Sequence, residues 1–267
     1  MKNNKEKSEK VSEIVVESSS KQNGIFKNVR KISVMVTLTI AVVICAGIAV
    51  FTTLAVIAHT SSLKASGAEY DYLRGLAGDI EAEAGRNSDV RLSALDVEML
   101  SINPDYVCWI RIDGTNIDYP VVRGSDNEKY TNTSFYSEKN KAGAIFMDYR
   151  NLGESLPHII IYGHNLHEGG MFTDLKKFLD GGFLGVNNII TLIVHGNEVR
   201  FEIFSARLSD INDPAYFLDI NTPRDFARFT DRIDAPLKAT QIITLSTCFS
   251  RGDDDERVII QGYRLFD

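Results

Sequence analysis

The chain has 267 residues, 44% of them hydrophobic, and a formal charge of −7 at neutral pH, enough for one sizeable domain plus appendages. Its first 31 residues carry eight Lys or Arg against four Glu, a net +4, so the remainder sums to −11 and lacks the basic footprint that a nucleic-acid partner would require. The three cysteines, Cys45, Cys108 and Cys248, leave at least one thiol free, and a domain of this size does not need a disulfide staple.

Residues 1–31 are lysine-rich and polar and are expected to be a disordered tail. The 27 residues from Ile32 to Ala58 carry no charge, and about 20 apolar residues span a bilayer as a helix, so 32–58 reads as a transmembrane anchor. Arg30 and Lys31 stand at its boundary, which places the tail in the cytoplasm and everything after His59 outside. A cleaved signal peptide is the competing account. Its apolar core is normally only about 7–15 residues long, and Ala65-Ser66-Gly67 is a weak cleavage site standing well past the run.

A linker at 59–67 precedes the folded domain, 68–267. Leu73, Leu76, Ala77, Ile80 and Ala84 fall at helical spacing with acids opposite, predicting an amphipathic helix. A shorter helix covers Ala94 to Leu100, ahead of the turn Asn103-Pro104-Asp105. Tyr106 to Val122 is two β-prone apolar runs about Asp113-Gly114, a hairpin signal. Further strands are expected at Gly143–Asp148, His158–Tyr162, Asn188–Val194 and Val199–Ala206, the last two hinged at Gly196-Asn197. Between the second and third, Phe172, Leu175 and Leu179 predict a short helix stopped by Gly181-Gly182. Thr222-Pro223-Arg224-Asp225 offers an N-cap, a proline at the first helical position and an acid in the first turn, with Phe226, Phe229 and Ile233 as the buried stripe. At least seven short strands without regular strand-helix alternation predict a mostly β fold with helices, a barrel or closed antiparallel-rich sheet.

The end of the chain carries the chemistry. Gln241 to Cys248 reads as a buried strand, the loop after it is too charged to be buried, and Arg257 opens another strand. If the two strands pair antiparallel, the arginine returns to the thiol and can hold an oxyanion there. The bland alternative is a core cysteine followed by a surface arginine. Among the histidines, His164 fits a catalytic role best, because Gly163 and Asn165 end its strand at the rim of the sheet; His195, at a hairpin turn, fits nearly as well. Cys248, His164 and His167 could supply three metal ligands, but CxxC and HExxH are absent. Asp253-Asp254-Asp255-Glu256 lacks the spacing of a calcium loop, and no glycine loop for phosphate is present. No metal or other cofactor is expected.

Thr244-Leu245-Ser246-Thr247-Cys248, followed nine residues later by Arg257 and preceded by Tyr162-Gly163-His164-Asn165, resembles the sortase family of Gram-positive surface-protein transpeptidases. Asn103-Pro104-Asp105, Trp109-Ile110, Ile117 to Val122, Asn127 with Tyr130, and Met171-Phe172 with Leu175 look like its class B branch. Cys108 departs from that branch, where glycine tends to precede the Trp-Ile pair; its apolar setting suggests a core thiol. The resemblance implies an eight-stranded sortase-type β-barrel with N-terminal helices and a helical insertion before the cysteine strand. It implies Cys248 as nucleophile, His164 as its paired histidine and Arg257 as the arginine, with substrate contacts at Ser246, Thr247 and Asn165. Arg251, in the loop, does not match the family position. The implied reaction cleaves a C-terminal sorting motif of an exported protein at its threonyl bond through a thioester, and transfers the protein to a peptidoglycan peptide amine. Class B suggests a motif of the Asn-Pro-x-Thr type; pilus polymerisation is a lesser alternative. An extracytoplasmic cysteine protease and a catalytically silent, membrane-anchored binding domain are the readings from other classes.

Overall fold

In the computed structural model the described residues are 2–84, 91–153, 156–166, 169–248 and 255–266, with Cys248 and parts of the first two helices described by backbone alone. Two units divide after Thr60. The first is helical throughout, belonging to α1 (Lys2–Ala84), and contains Met35–Ile57, long and apolar enough to cross a membrane and exposed along its length. Residues 2–31, expected to be disordered, and 59–67, expected as a linker, are helical as well. The first proline of the chain is Pro104, so no proline interrupts the hydrogen-bond ladder of α1, and its Lys, Glu and Ala content favours helix.

In the second unit α1 buries Tyr70, Leu73 and Ala77 at the spacing that puts residues on one helix face. Leu95 and Met99 do the same for α2 (Arg91–Ile102). The turn after it closes as expected: Asn103 Oδ1 accepts from the Asp105 N–H at 2.9 Å.

The strands are β1 (Tyr106–Ile112), β2 (Asp118–Val122), β3 (Ile145–Met147), β4 (His158–Tyr162), β5 (Ile189–Val194), β6 (Asn197–Ser209), β7 (Ile242–Cys248) and β8 (Arg257–Arg264). They close a barrel in the order β1-β2-β3-β4-β7-β8-β6-β5. The hairpin about Asp113-Gly114 forms, with Gly114 at φ 77°. The β5–β6 turn falls one residue earlier than expected, on His195 and Gly196, both at positive φ, as a tight two-residue hairpin turn requires. Most neighbours are antiparallel, but β2–β3 and β4–β7 are parallel.

The helix expected around Phe172, Leu175 and Leu179 is a 3-10 segment, Thr173–Leu179. At three residues per turn its inner face runs through Phe172, Leu175 and Phe178, all buried, and Leu179 swings outward. Gly181-Gly182 does not end a helix but opens one, α3 (Gly181–Leu184), capped by Asp180 accepting from the Phe183 N–H. The insertion between β6 and β7 contains α4 (Pro223–Arg232), with Thr222 as N-cap and proline in the first turn. Its Phe229, together with Ile220 and Ile233, packs on Ile242 of β7 and Tyr263 of β8. This second, smaller core lies on the outer face of the barrel, because Ile243, Leu245, Val258 and Ile260 of the same strands point into the main one.

Candidate active site

Cys248 ends β7 and Arg257 starts β8, and the two are direct cross-strand partners. Paired antiparallel residues stand about 4.5–5.5 Å apart at Cα, so the register brings the arginine's backbone beside the cysteine's. On the other side β7 runs parallel to β4, with Tyr162 opposite Ser246. The pairing continues one step beyond β4, where the Gly163 N–H donates to the Ser246 carbonyl at 3.2 Å, and the next residue is His164. Three adjacent strand ends thus deliver His164, Cys248 and Arg257 to one rim.

Gly163 makes that rim tight. A Cβ there would lie 2.4 Å from Ile145 Cδ1 and 2.8 Å from Phe172 Cγ, so a larger residue would push the strand end outward. His164 is half-buried, and its Nε2 lies 2.7 Å from the Thr131 carbonyl oxygen. A carbonyl only accepts, so Nε2 carries the proton and Nδ1 is the atom left to exchange one. Gly143, at φ +61°, passes close to this carbonyl: a Cβ there would fall 2.4 Å from the Tyr130 oxygen, 2.9 Å from the Thr131 oxygen and 3.1 Å from His164 Cδ2. Tyr70 of α1 donates to the Gly143 carbonyl at 3.0 Å.

Arg257 is half-buried, and its Nη1 donates a long bond, 3.4 Å, to the Glu256 carbonyl. With Asn127, Phe146, Tyr162, Ile211 and Tyr216 it lines a cleft of about 380 Å³. The cleft wall is stiff. Tyr162 and Tyr216 stack with ring planes 11° apart, and Tyr216 Oη shares a 2.7 Å hydrogen bond with Ser246 Oγ. Tyr162 Oη donates to Asp148 Oδ2 at 3.0 Å, as does Asn127 Nδ2. Burial alone would raise the Asp148 carboxyl, but hydrogen bonds from the Arg150 side chain and backbone and from Asn127, with the Arg150 charge, hold it below the usual carboxylate range. Burial, reinforced by the Asp148 charge, pushes the Tyr162 phenol up, so it stays a neutral donor.

The remaining residues sort by position. Ser246 faces Tyr216, Thr247 is buried, and Asn165 pairs by backbone with Met171 beside His164. His195 stands at the far end of the 13-residue β6, roughly 40 Å along the strand from the residue that pairs with Arg257, and with Cys108 it lines a separate cavity of about 810 Å³. Among the described histidines, His164 is the one at the rim. Cys108 is a free, buried thiol, pushed up to about 12 by burial and then by the nearby Asp96 charge. β1, which carries it, is separated from β7 by three strands of the barrel. His158 opens β4 as expected; its ring is buried, packs on Phe229 and hydrogen-bonds at both nitrogens. Arg251 and His167 lie outside the described residues. Sequence reasoning missed Tyr216, Asp148 and Arg150. Asp213-Pro214 ahead of Tyr216 was a readable turn signal, but nothing local tied that turn to the cysteine strand.

The sortase domain family matches residues 110–265. The chain is 35% identical over 189 residues to sortase B of Listeria monocytogenes, covering 66% of this chain and 75% of that one. Among solved structures, the Staphylococcus aureus sortase B–substrate complex superposes with a TM-score of 0.66 at 27% identity, over 76% of this chain and 97% of that one. Clostridium perfringens sortase B gives 0.59 at 30% identity, over 64% and 100%. With the eight-stranded closed barrel and its helices matching these structures, the chain belongs to the sortase family of cysteine transpeptidases and within it is most like sortase B.

Proposed function

We propose that this protein cleaves a C-terminal sorting motif at its threonyl bond and transfers the acyl portion to a peptide amine of the cell wall. The observation that supports it is the convergence of the Cys248–Arg257 cross-strand pair with His164 on the neighbouring strand end. The Cys248 thiolate attacks the peptide carbonyl. The tetrahedral oxyanion takes its hydrogen bonds from the Arg257 guanidinium and a backbone N–H. His164, as imidazolium, gives the Nδ1 proton to the departing amine, the C–N bond breaks and a thioester remains. The acceptor amine then attacks that carbonyl, the neutral imidazole takes its proton, and the thiolate leaves as the new amide forms. Asn165 lies beside His164 at the rim, Ser246 acts on the peptide through its bond to Tyr216, Thr247 is buried in the wall, and the cleft lined by Tyr162, Tyr216 and Arg257 is the surface along which the peptide lies. The substrate-bound state of the Staphylococcus aureus relative supports a peptide ligand of this class.

The Met35–Ile57 segment is a single-pass anchor, with residues 1–31 in the cytoplasm and the catalytic domain outside, facing the wall. Tethering raises the effective concentration of immobilised acceptors, which favours transfer over hydrolysis.

The test incubates the full chain in detergent with Asn-Pro-x-Thr peptides, with and without glycine- or diamino-acid-bearing wall peptides, and weighs the products. Ligated product should rise with amine concentration at the expense of hydrolysed product and vanish in Cys248→Ala. Cleavage without incorporation of any such amine establishes a protease instead.

A further inference from the structure

Four side chains on adjacent strands form one buried hydrogen-bonded row across the outer face of the barrel. Arg207 of β6 donates from Nη1 to Gln261 Oε1 of β8 at 2.8 Å. Gln261 Nε2 donates to Thr244 Oγ1 of β7 at 3.3 Å. Thr244 Oγ1 and His158 Nε2 of β4 are 2.9 Å apart, and His158 Nδ1 lies 2.8 Å from the Phe217 carbonyl oxygen. With the ring kept neutral by its burial, only one proton arrangement satisfies all four contacts. The carbonyl can only accept, so Nδ1 carries the proton; the ring is neutral, so Nε2 accepts, and the Thr244 hydroxyl donates to it while accepting from Gln261. Every donor points the same way, from Arg207 to the Phe217 carbonyl. Thr244 and Gln261 are fully buried and His158 is 1% exposed.

Both ends of this row grip the same short piece of the β6–β7 insertion. Arg207 also binds Asp213 through two nitrogens, Nε at 3.1 Å and Nη2 at 2.7 Å, and Asp213 Oδ1 caps the Pro214–Tyr216 turn by accepting from the Ala215 N–H. Asp213 is thus fastened at one end and Phe217 at the other. Tyr216 stands between them, stacked on Tyr162 and bonded to Ser246, two residues before Cys248.

We infer that His158 and Arg207 are positioning residues that set the substrate-facing wall: neither touches the reacting atoms, and together they hold Asp213 to Phe217 so that Tyr216 presents a fixed ring to the bound peptide. This rests on the proposed peptide-transfer function for its substrate and on the hydrogen bonds for its geometry. Because neither His158 nor Arg207 belongs to the Cys248, His164 and Arg257 set, and Tyr216 is bonded to Ser246 in the cleft wall, releasing the segment weakens peptide capture more than the thiol chemistry.

The experiment uses the full chain in detergent with three variants. His158→Leu removes both ring contacts, His158→Asn keeps a donor near the Nδ1 position, and Arg207→Met breaks the row at its partly exposed end and replaces His158→Leu should that variant fail to fold. Hydrogen exchange of residues 213–217 is read alongside steady-state kinetics on an Asn-Pro-x-Thr peptide and the alkylation rate of Cys248. The expected result is faster exchange in 213–217 with β7 unchanged and KM raised about tenfold or more. It also includes kcat and alkylation within about threefold of wild type, and recovery of most of the KM in His158→Asn. A Tyr216→Ala/His158→Leu double variant should show no higher KM than Tyr216→Ala alone. Unchanged exchange in 213–217 overturns the inference, as does faster exchange with KM unmoved, a fall in kcat alone, or additive KM effects in the double variant. If wild-type protein turns over no such peptide, the proposed function has failed, and exchange by itself then decides whether the clamp exists.

Discussion

At the residue scale, the three rim residues differ in what replaces them. Cys248→Ala should abolish thioester formation in a mass-spectrometric acylation assay. His164→Ala should lower kcat/KM by about 10²–10⁴-fold and Arg257→Ala by about 10²–10³-fold. Lysine should not rescue Arg257 fully, because a point charge lacks the planar donor fork. His195→Ala should be nearly silent, since that residue stands at the opposite end of β6. Cys108, buried and pushed up to about 12, should resist alkylation at neutral pH in the folded chain. The convergence of Cys248, Arg257 and His164 was legible because a thiol, an arginine and a histidine at strand ends carry their chemistry in their identity. Tyr216 was not legible, because its partners Ser246 and Tyr162 lie 30 residues or more away and an aromatic in a turn has no chemical signature of its own.

His158 also illustrates what a sequence conceals. Its placement at the start of a strand was readable, but its neutrality depends on burial beneath the insertion, which pushes its pKa down to about 4 from an ordinary 6.5. A lowered histidine pKa means that the unfolded chain binds the proton first. Its contribution is therefore fully present above about pH 6.5 and lost as pH falls toward 4, in total about 3 kcal/mol. Asp148, shifted below the ordinary carboxylate value, contributes a separate loss below that value. Urea unfolding of the full chain between pH 7 and 4 should show the first decline, and His158→Asn, which has no proton to take up, should flatten it.

At the scale of the element, Gly163 is the position where packing and catalysis meet. Gly163→Ala inserts a methyl against Ile145 and Phe172, which should cost about 1–3 kcal/mol in chemical denaturation. It should also reduce activity more than an equally destabilising core change elsewhere, because the displaced residue is next to His164. By contrast Thr222→Ala, removing the cap that accepts from the Asp225 N–H, should cost about 1 kcal/mol and act on activity only through the insertion. The hairpin about Asp113-Gly114 and the capped start of α4 were visible in sequence because local rules write them. The 3-10 segment at Thr173–Leu179 and the opening of α3 at Gly181-Gly182 were not. A three-residue and a 3.6-residue period differ by too little over seven positions, and a glycine pair says that the chain turns without saying whether a helix ends or begins there.

At the scale of the whole molecule, the fold class followed from many short strands without regular helical alternation, and the closed barrel bears it out. The strand order was beyond reach. The parallel pairings of β2 with β3 and of β4 with β7 are chosen by which buried faces meet across the core, and strand composition reads the same for either neighbour. For the N-terminal segment, protease added to wall-stripped cells should remove the catalytic domain and spare residues 1–31 if Met35–Ile57 crosses the membrane as proposed. Protection of the domain, or its release as a soluble fragment beginning near Ser66, would overturn that topology.

The pairing of β7 between β4 and β8 has a temporal meaning. Ribosomes make the chain from its N-terminus, and the first six strands are complete before β7 exists. Until then β4 and β6 present open edges, and the barrel cannot close. Ile160 must wait for Thr244, and so sequence-distant a ladder belongs to the slow class of folding steps. His164 is laid down long before Cys248 and Arg257, and all three meet in the same late event that seals the barrel. On the proposed mechanism, closing the last gap in the wall and bringing Cys248, His164 and Arg257 together are one step.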